Sequence, residues 1–218
     1  MDVNERNGSN RMVLLLIAGI PVTVILTASW LWYYVVQGEL DLVALLGTSN
    51  SGALVQPPRQ LADKDLSEAG GLPVRYSELP PKWTFLIPGG PECDAVCEKT
   101  LYTTRQIHVA MGEGFKRIRR IYVSDITAAD ITLTLARLSD NRPAPAGFSE
   151  LLASEHRSVQ ALTISPENYQ ALFSEYRSDP STWYLVDPAG WIMMSYASEV
   201  DYKGVMSDLK FLLKNSSE

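Results

Sequence analysis

Cysteine and histidine are scarce in this chain, with two of each among 218 residues. No C-x2-C pair repeats, so the sequence gives no support for a structural zinc site. Surplus basic charge is lacking too. A net charge of −6 leaves no basic face of the kind nucleic acid requires, so nucleic acid is not an expected partner. Internal repeats and low-complexity tracts are absent, which excludes a solenoid. What the length allows is one membrane segment and one domain of ordinary size. A domain of about 150 residues buries roughly 70% of its unfolded surface, so it needs no disulfide to stand.

Charge is also missing from one long stretch, residues 12–36. Its length suffices to cross a hydrocarbon core of about 30 Å, so a single transmembrane anchor is expected there, in contact with the bilayer. Arg6 and Arg11 precede it, whereas Glu39 and Asp41 follow. That asymmetry predicts a cytoplasmic tail over residues 1–11 and the remainder outside. Trp30, Trp32, Tyr33 and Tyr34 gather at the far end, where amphipathic rings favour the interface. A cleaved signal peptide is the rival reading, since Thr27-Ala28-Ser29 offers small residues, but the apolar run continues past them. In a bacterial cell this arrangement implies an inner-membrane protein with its C-terminal domain in the periplasm, where thiols oxidise.

Residues 47–58 are rich in Gly, Ser, Asn and Pro and read as a tether, giving a linker over 37–60 and a domain over 61–218. Within 61–79 only Val74-Arg75-Tyr76 suggests a short strand. From Trp83 onward the order is clear. A buried strand over 83–87 runs into Pro88-Gly89-Gly90-Pro91, and a helix follows over about 94–111. A β-branched strand covers 118–123, a helix is expected over 128–138, and a loop spans 140–147. A short strand over 160–164 leads to Ser165-Pro166-Glu167, a helix-start signature, with the helix running to about residue 176. Strands at 183–186 and 191–196 flank Asp187-Pro188-Ala189-Gly190, a turn sequence, and the last helix covers about 202–213. Alternating strands and helices with a late hairpin give an α/β fold, a mixed sheet with helices on its faces. This order fits a thioredoxin-like domain with an insertion.

Both cysteines lie at the first helix, as Cys93-Asp94-Ala95-Val96-Cys97. Residues four apart share a helix face, so the two sulfurs converge on one point. A helix N-terminus favours thiolate, which attacks disulfides or holds soft metals, copper(I) among them. Glu92, Asp94 and Glu98 work against thiolate by repulsion while favouring a bound cation. A static disulfide that staples the loop is the alternative, and the sequence leaves both open.

With these motifs in view, the chain resembles the Sco/SenC proteins. The resemblance rests on Lys82-Trp83 before the first strand, the C-x3-C pair, and Tyr184-Leu185-Val186-Asp187-Pro188-x-Gly190 near the end. It is similar also to short proteins of cytochrome c oxidase gene clusters, through Leu101-Tyr102-x-x-Arg105-Gln106, Asp187-Pro188-x-Gly190-x-x-Met193-Met194-x-Tyr196 and Lys203-Gly204. The resemblance implies a membrane-anchored thioredoxin-like fold that helps deliver copper to cytochrome c oxidase, with Cys93 and Cys97 as the working thiols or copper ligands. Oxidase subunits and other assembly factors are the implied partners. Sco proteins take a third copper ligand, a histidine, just before the Tyr-Leu-x-Asp-Pro strand. Here that stretch reads Ser178-Asp179-Pro180-Ser181-Thr182 and holds none. Pro180 instead resembles the proline that faces the active site of thioredoxin-like oxidoreductases, where its peptide bond is cis.

Other ligand candidates are weaker. His108 lies eleven residues beyond Cys97 on the same expected helix, roughly 16 Å away. His156 falls before the third strand and reads as a solvated loop residue. Met193 and Met194 offer thioether sulfur, but neighbours on a strand face opposite ways and core packing is the usual use of methionine. Lys116, Arg117, Arg119 and Arg120 form a basic cluster that reads as solvated, with lipid headgroups or an acidic partner as a second use. Three functions follow: an oxidase assembly factor working by thiol–disulfide exchange or transient copper(I) handling, a periplasmic thiol–disulfide oxidoreductase, and a non-catalytic scaffold with a structural disulfide. A metabolic enzyme is not expected.

Overall fold

The computed structural model describes residues 3–36 and 50–216. They fall into two units, Met1–Ser49 and Asn50–Glu218. The first holds one helix, α1 (Val3–Val36). Its apolar span, Leu15–Tyr33, has a mean hydropathy of 1.9 and is long enough to cross a membrane. Two of its hydroxyls are satisfied within the helix: Thr27 donates to the Thr23 carbonyl at 2.8 Å and Thr23 to that of Ile20 at 2.9 Å. An apolar medium requires such internal pairing.

The second unit is built on a mixed sheet. Its strands are β1 (Ala53–Gln60), β2 (Leu66–Ser67), β3 (Pro73–Val74), β4 (Trp83–Gly89), β6 (Ile118–Ser124), β8 (Val159–Ile164), β9 (Trp183–Val186) and β10 (Trp191–Tyr196). A separate pair comprises β5 (Glu92–Cys93) and β7 (Thr132–Leu133). The helices are α2 (Ala95–Ala110), α3 (Phe148–Glu155), α4 (Pro166–Leu172), α5 (Ser174–Ser178) and α6 (Tyr202–Asn215). Across the main sheet the order is β1-β10-β9-β4-β6-β8-β2-β3. The neighbours β4, β6 and β8 run parallel, and the other pairings are antiparallel.

Alternation along the central strands divides the core in two, because successive side chains point to opposite faces. Trp83, Phe85 and Ile87 of β4 join Trp183, Leu185, Met194 and Tyr196 beneath α2 and α6, whereas Leu86, Ile121, Val123, Tyr184 and Val186 pack on the other face with Tyr169, Leu172 and Phe173. The β9–β10 turn closes as its sequence requires. Gly190 takes φ 92°, its N–H donates to the Asp187 carbonyl at 3.0 Å, and the Asp187 side chain accepts from Trp191 N at 2.8 Å.

Four expectations are corrected. The linker does not extend to residue 60, because Ala53–Gln60 is an edge strand whose ends register with β10; residues 37–49 lie outside those described. The helix expected over 128–138 does not form. Ile131, Leu133 and Leu135 point inward while Thr132, Thr134 and Ala136 face solvent, a period of two that suits extended chain. A helix the sequence does not signal, α3, buries Phe148 and Leu151. The helix begun at Ser165, whose hydroxyl caps Asn168 N at 3.3 Å, breaks at Phe173 into α4 and α5.

Candidate functional site

Strand β4 ends against its own neighbour. A Cβ on Gly89 would sit 1.6 Å from the Tyr122 hydroxyl, so only glycine passes this point without displacing that ring. The Gly89 carbonyl accepts from the Tyr169 hydroxyl at 3.0 Å, which fixes the loop that leads to the cysteines. Asp94 then caps α2. Its Oδ1 accepts from Val96 N and Cys97 N, both at 3.0 Å, taking up two N–H groups the first turn leaves unpaired.

Cys93 and Cys97 are joined in a disulfide, with Cα atoms 5.1 Å apart. Their environments differ. Cys93 is fully buried in the core shared with Trp83, Phe85 and Leu101, while Cys97 is half-buried in the first turn of α2. An extended arm over residues 131–139 shields Cys93. Glu92 and Cys93 pair in parallel with Thr132 and Leu133, and Thr134 N donates to the Cys93 carbonyl at 3.1 Å. The far end of the arm is fixed by Glu98. This carboxylate is buried and accepts twice from Ser139 N, at 3.1 Å each, and once from the Ser139 hydroxyl. Of the three acids expected to repel a thiolate, Glu98 is therefore committed to the arm and Asp94 to the cap, and Glu92 stands exposed.

Along the first turns of α2 runs a groove of about 460 Å³, lined by the residues between the two cysteines but by neither cysteine itself. Asp94, Val96 and Lys99 line one wall, Asp179, Pro180 and Ser181 another, with Trp183 and Tyr196 at the base. These two rings stack at 4.6 Å. Pro180 is thus brought to the turn that carries the cysteines. Its peptide bond is not cis: the one cis bond among the described residues is Gln56–Pro57. The Tyr176 phenol is pushed up by burial and by the nearby Asp94 charge, and stays protonated.

The remaining candidates lie elsewhere. His108 is buried, stacks on Phe115 at 4.0 Å and donates from Nε2 to the Phe115 carbonyl at 3.0 Å, and burial depresses its pKa. His156 is buried rather than solvated. Burial, with Arg120 and Arg105 adding repulsion, brings its pKa down to about 3, so it is neutral at pH 7. Met194 is buried against the Tyr196 hydroxyl, and Met193 packs against the same core.

The basic cluster is not a solvated loop. Arg117 donates to the Leu213 and Ser216 carbonyls at the end of α6, and Arg119 to Thr84 Oγ1 and the Pro80 carbonyl. Arg120 is buried, donating from Nη2 to the Leu101 carbonyl at 2.6 Å and Thr104 Oγ1 at 3.0 Å. Lys116 alone of the four is exposed. Among the described residues no group of three or more His, Cys, Asp or Glu converges as a metal site. The sulfur pair is what this turn offers a soft cation.

Residues 83–216 match the family described as transmembrane-like, thioredoxin-like, C-terminal domain. Comparison with curated proteins finds no match. Among solved structures, apo Sco1 from Thermus thermophilus is 21% identical and aligns with a TM-score of 0.53, covering 75% of this chain and 96% of that one. Yeast Sco1 with copper bound is 18% identical with a TM-score of 0.51, covering 78% and 96%. The described sheet and its flanking helices are therefore thioredoxin-like, with the fold of the Sco proteins.

Proposed function

The chain belongs to the transmembrane-like, thioredoxin-like family, and from that premise we propose that it is a membrane-tethered assembly factor for a respiratory cytochrome c oxidase, acting by thiol–disulfide exchange at Cys93 and Cys97. The observation that carries this reading is the placement of the chain's two thiols. They close on one another at the head of α2, flanking the Asp94–Val96 segment that lines a groove, with Cys97 half-exposed. The Sco-like motifs support oxidase subunits or their assembly factors as partners. The positive residues before the apolar span support a bacterial inner-membrane protein with this domain in the periplasm.

A second reading, transient copper(I) holding by the reduced pair, is supported by the convergence of two soft donors and by the yeast Sco1 structure that carries copper on the same fold. Copper would then be cargo, held by Cys93 and Cys97 without a histidine from the Asp179–Thr182 turn. Two measurements on the full chain in detergent separate these readings. Exchange requires a reduction potential above about −300 mV; a lower potential with slow exchange marks an inert staple. Copper(I) handling requires the reduced chain to bind the ion more tightly than the Cys93→Ser, Cys97→Ser variant, and equal binding removes it.

A further inference from the structure

The two sulfurs are not equivalent, and their inequality assigns each a role. We infer that Cys97 is the sulfur attacked by an incoming thiolate, and that Cys93 is the shielded sulfur that departs from it and later closes the bond again. This rests on the exchange reading above and names the order within it.

Burial and the arm packed over it protect Cys93. It has no solvent exposure and sits within the apolar cluster. Its strand is paired with β7, and its carbonyl is held by Thr134 N. The arm that makes these contacts is fastened at Ser139 by the buried Glu98 carboxylate. An attacking thiolate must reach its target sulfur along the line of the bond being broken, and at Cys93 that approach is filled with protein. Cys97 is less covered: in the first turn of α2 it packs against the same cluster but is only half-buried. Helix N-termini also stabilise the thiolate that forms there.

The step balances without an added oxidant. A partner thiolate attacks Cys97 Sγ, a new S–S bond forms to Cys97, the Cys93–Cys97 bond breaks, and its electron pair leaves on Cys93, which takes up a proton. A second partner thiolate then attacks the partner's own sulfur in that mixed disulfide and expels Cys97 as thiolate. The partner's dithiol has lost two electrons to become a disulfide, and the chain's disulfide has gained them. In the reverse direction Cys97 attacks and Cys93 resolves.

Glutathione is the probe. The oxidised full chain in detergent is exposed to it briefly, quenched in acid, and the adduct located by peptide mass spectrometry. At least about tenfold more adduct is expected on Cys97 than on Cys93. Equal or greater adduct on Cys93 overturns the assignment while leaving exchange chemistry standing; no adduct on either cysteine overturns both. Single variants give a second reading: Cys93→Ser is expected to react with a disulfide dye about tenfold faster than Cys97→Ser. Limiting alkylation of the reduced wild type gives the same order without mutation, with Cys97 modified first, and Cys93 modified first contradicts it.

Discussion

Glu98 illustrates how one side chain serves the site without touching a reacting atom. Its carboxylate takes both the N–H and the hydroxyl of Ser139, and truncation strands a partly buried donor. Glu98→Ala is expected to lower stability by about 1–3 kcal/mol, read from the urea midpoint, and to raise the reactivity of Cys93 toward alkylation as the arm loosens. Gly89 sets a steric limit at the same loop. Gly89→Ala places a methyl group against the Tyr122 hydroxyl and is expected to cost about 1–3 kcal/mol. His156 governs a pH response. Folded, it titrates near 3; unfolded, near 6.5. Between those values the unfolded chain takes up a proton that the folded one refuses, so stability is lost as pH falls from about 6.5 toward 3. His108 is shifted the same way. The urea midpoint is therefore expected to fall between pH 7 and pH 4.5, less steeply in His156→Leu; an unchanged slope in that variant would contradict the assignment.

At the scale of elements, strong local signals translated well. The Ser165-Pro166-Glu167 start, the Asp187–Gly190 turn and the β-branched run of β6 each specify a conformation through a few neighbouring residues, and each is found in place. The arm departs from expectation because alanine, leucine and arginine in residues 128–138 carry helix propensity, whereas the Ile131-Thr132-Leu133-Thr134-Leu135 alternation marks extended chain. Pairing with the cysteine strand outweighs propensity there. Strand β1 resembles a tether in sequence because Pro57 and Pro58 suggest irregular chain, yet an edge strand tolerates proline. Its attachment is tertiary and lies far away in sequence. The buried Asp208 of α6 accepts from Ser51 N at 3.0 Å, Gly52 N at 3.0 Å and the Tyr196 hydroxyl at 3.1 Å. Asp208→Ala takes the carboxylate from all three donors, leaving the Tyr196 hydroxyl only the Met194 sulfur, and is expected to destabilise the domain by on the order of 3 kcal/mol in chemical denaturation. The cysteine pair itself was legible from spacing. Its asymmetry was not, since the burial of Cys93 depends on an arm some forty residues further on.

For the molecule as a whole, α1 provides a span of suitable length and the Asn50–Glu218 unit carries both cysteines. The proposed topology makes a direct prediction: the full chain stays with membranes in alkaline carbonate and leaves only in detergent, and a phosphatase reporter fused at the C-terminus is active outside the cytoplasm. The central claim concerns the disulfide, and oxidase activity in cells tests it most directly. In a strain lacking this protein, the wild-type chain is expected to restore cytochrome c oxidase activity, while the Cys93→Ser, Cys97→Ser chain, present in the membrane at equal amount, leaves activity at the level of the deletion. Full restoration by the doubly substituted chain would contradict a working role for the pair and reduce it to a staple on a scaffold.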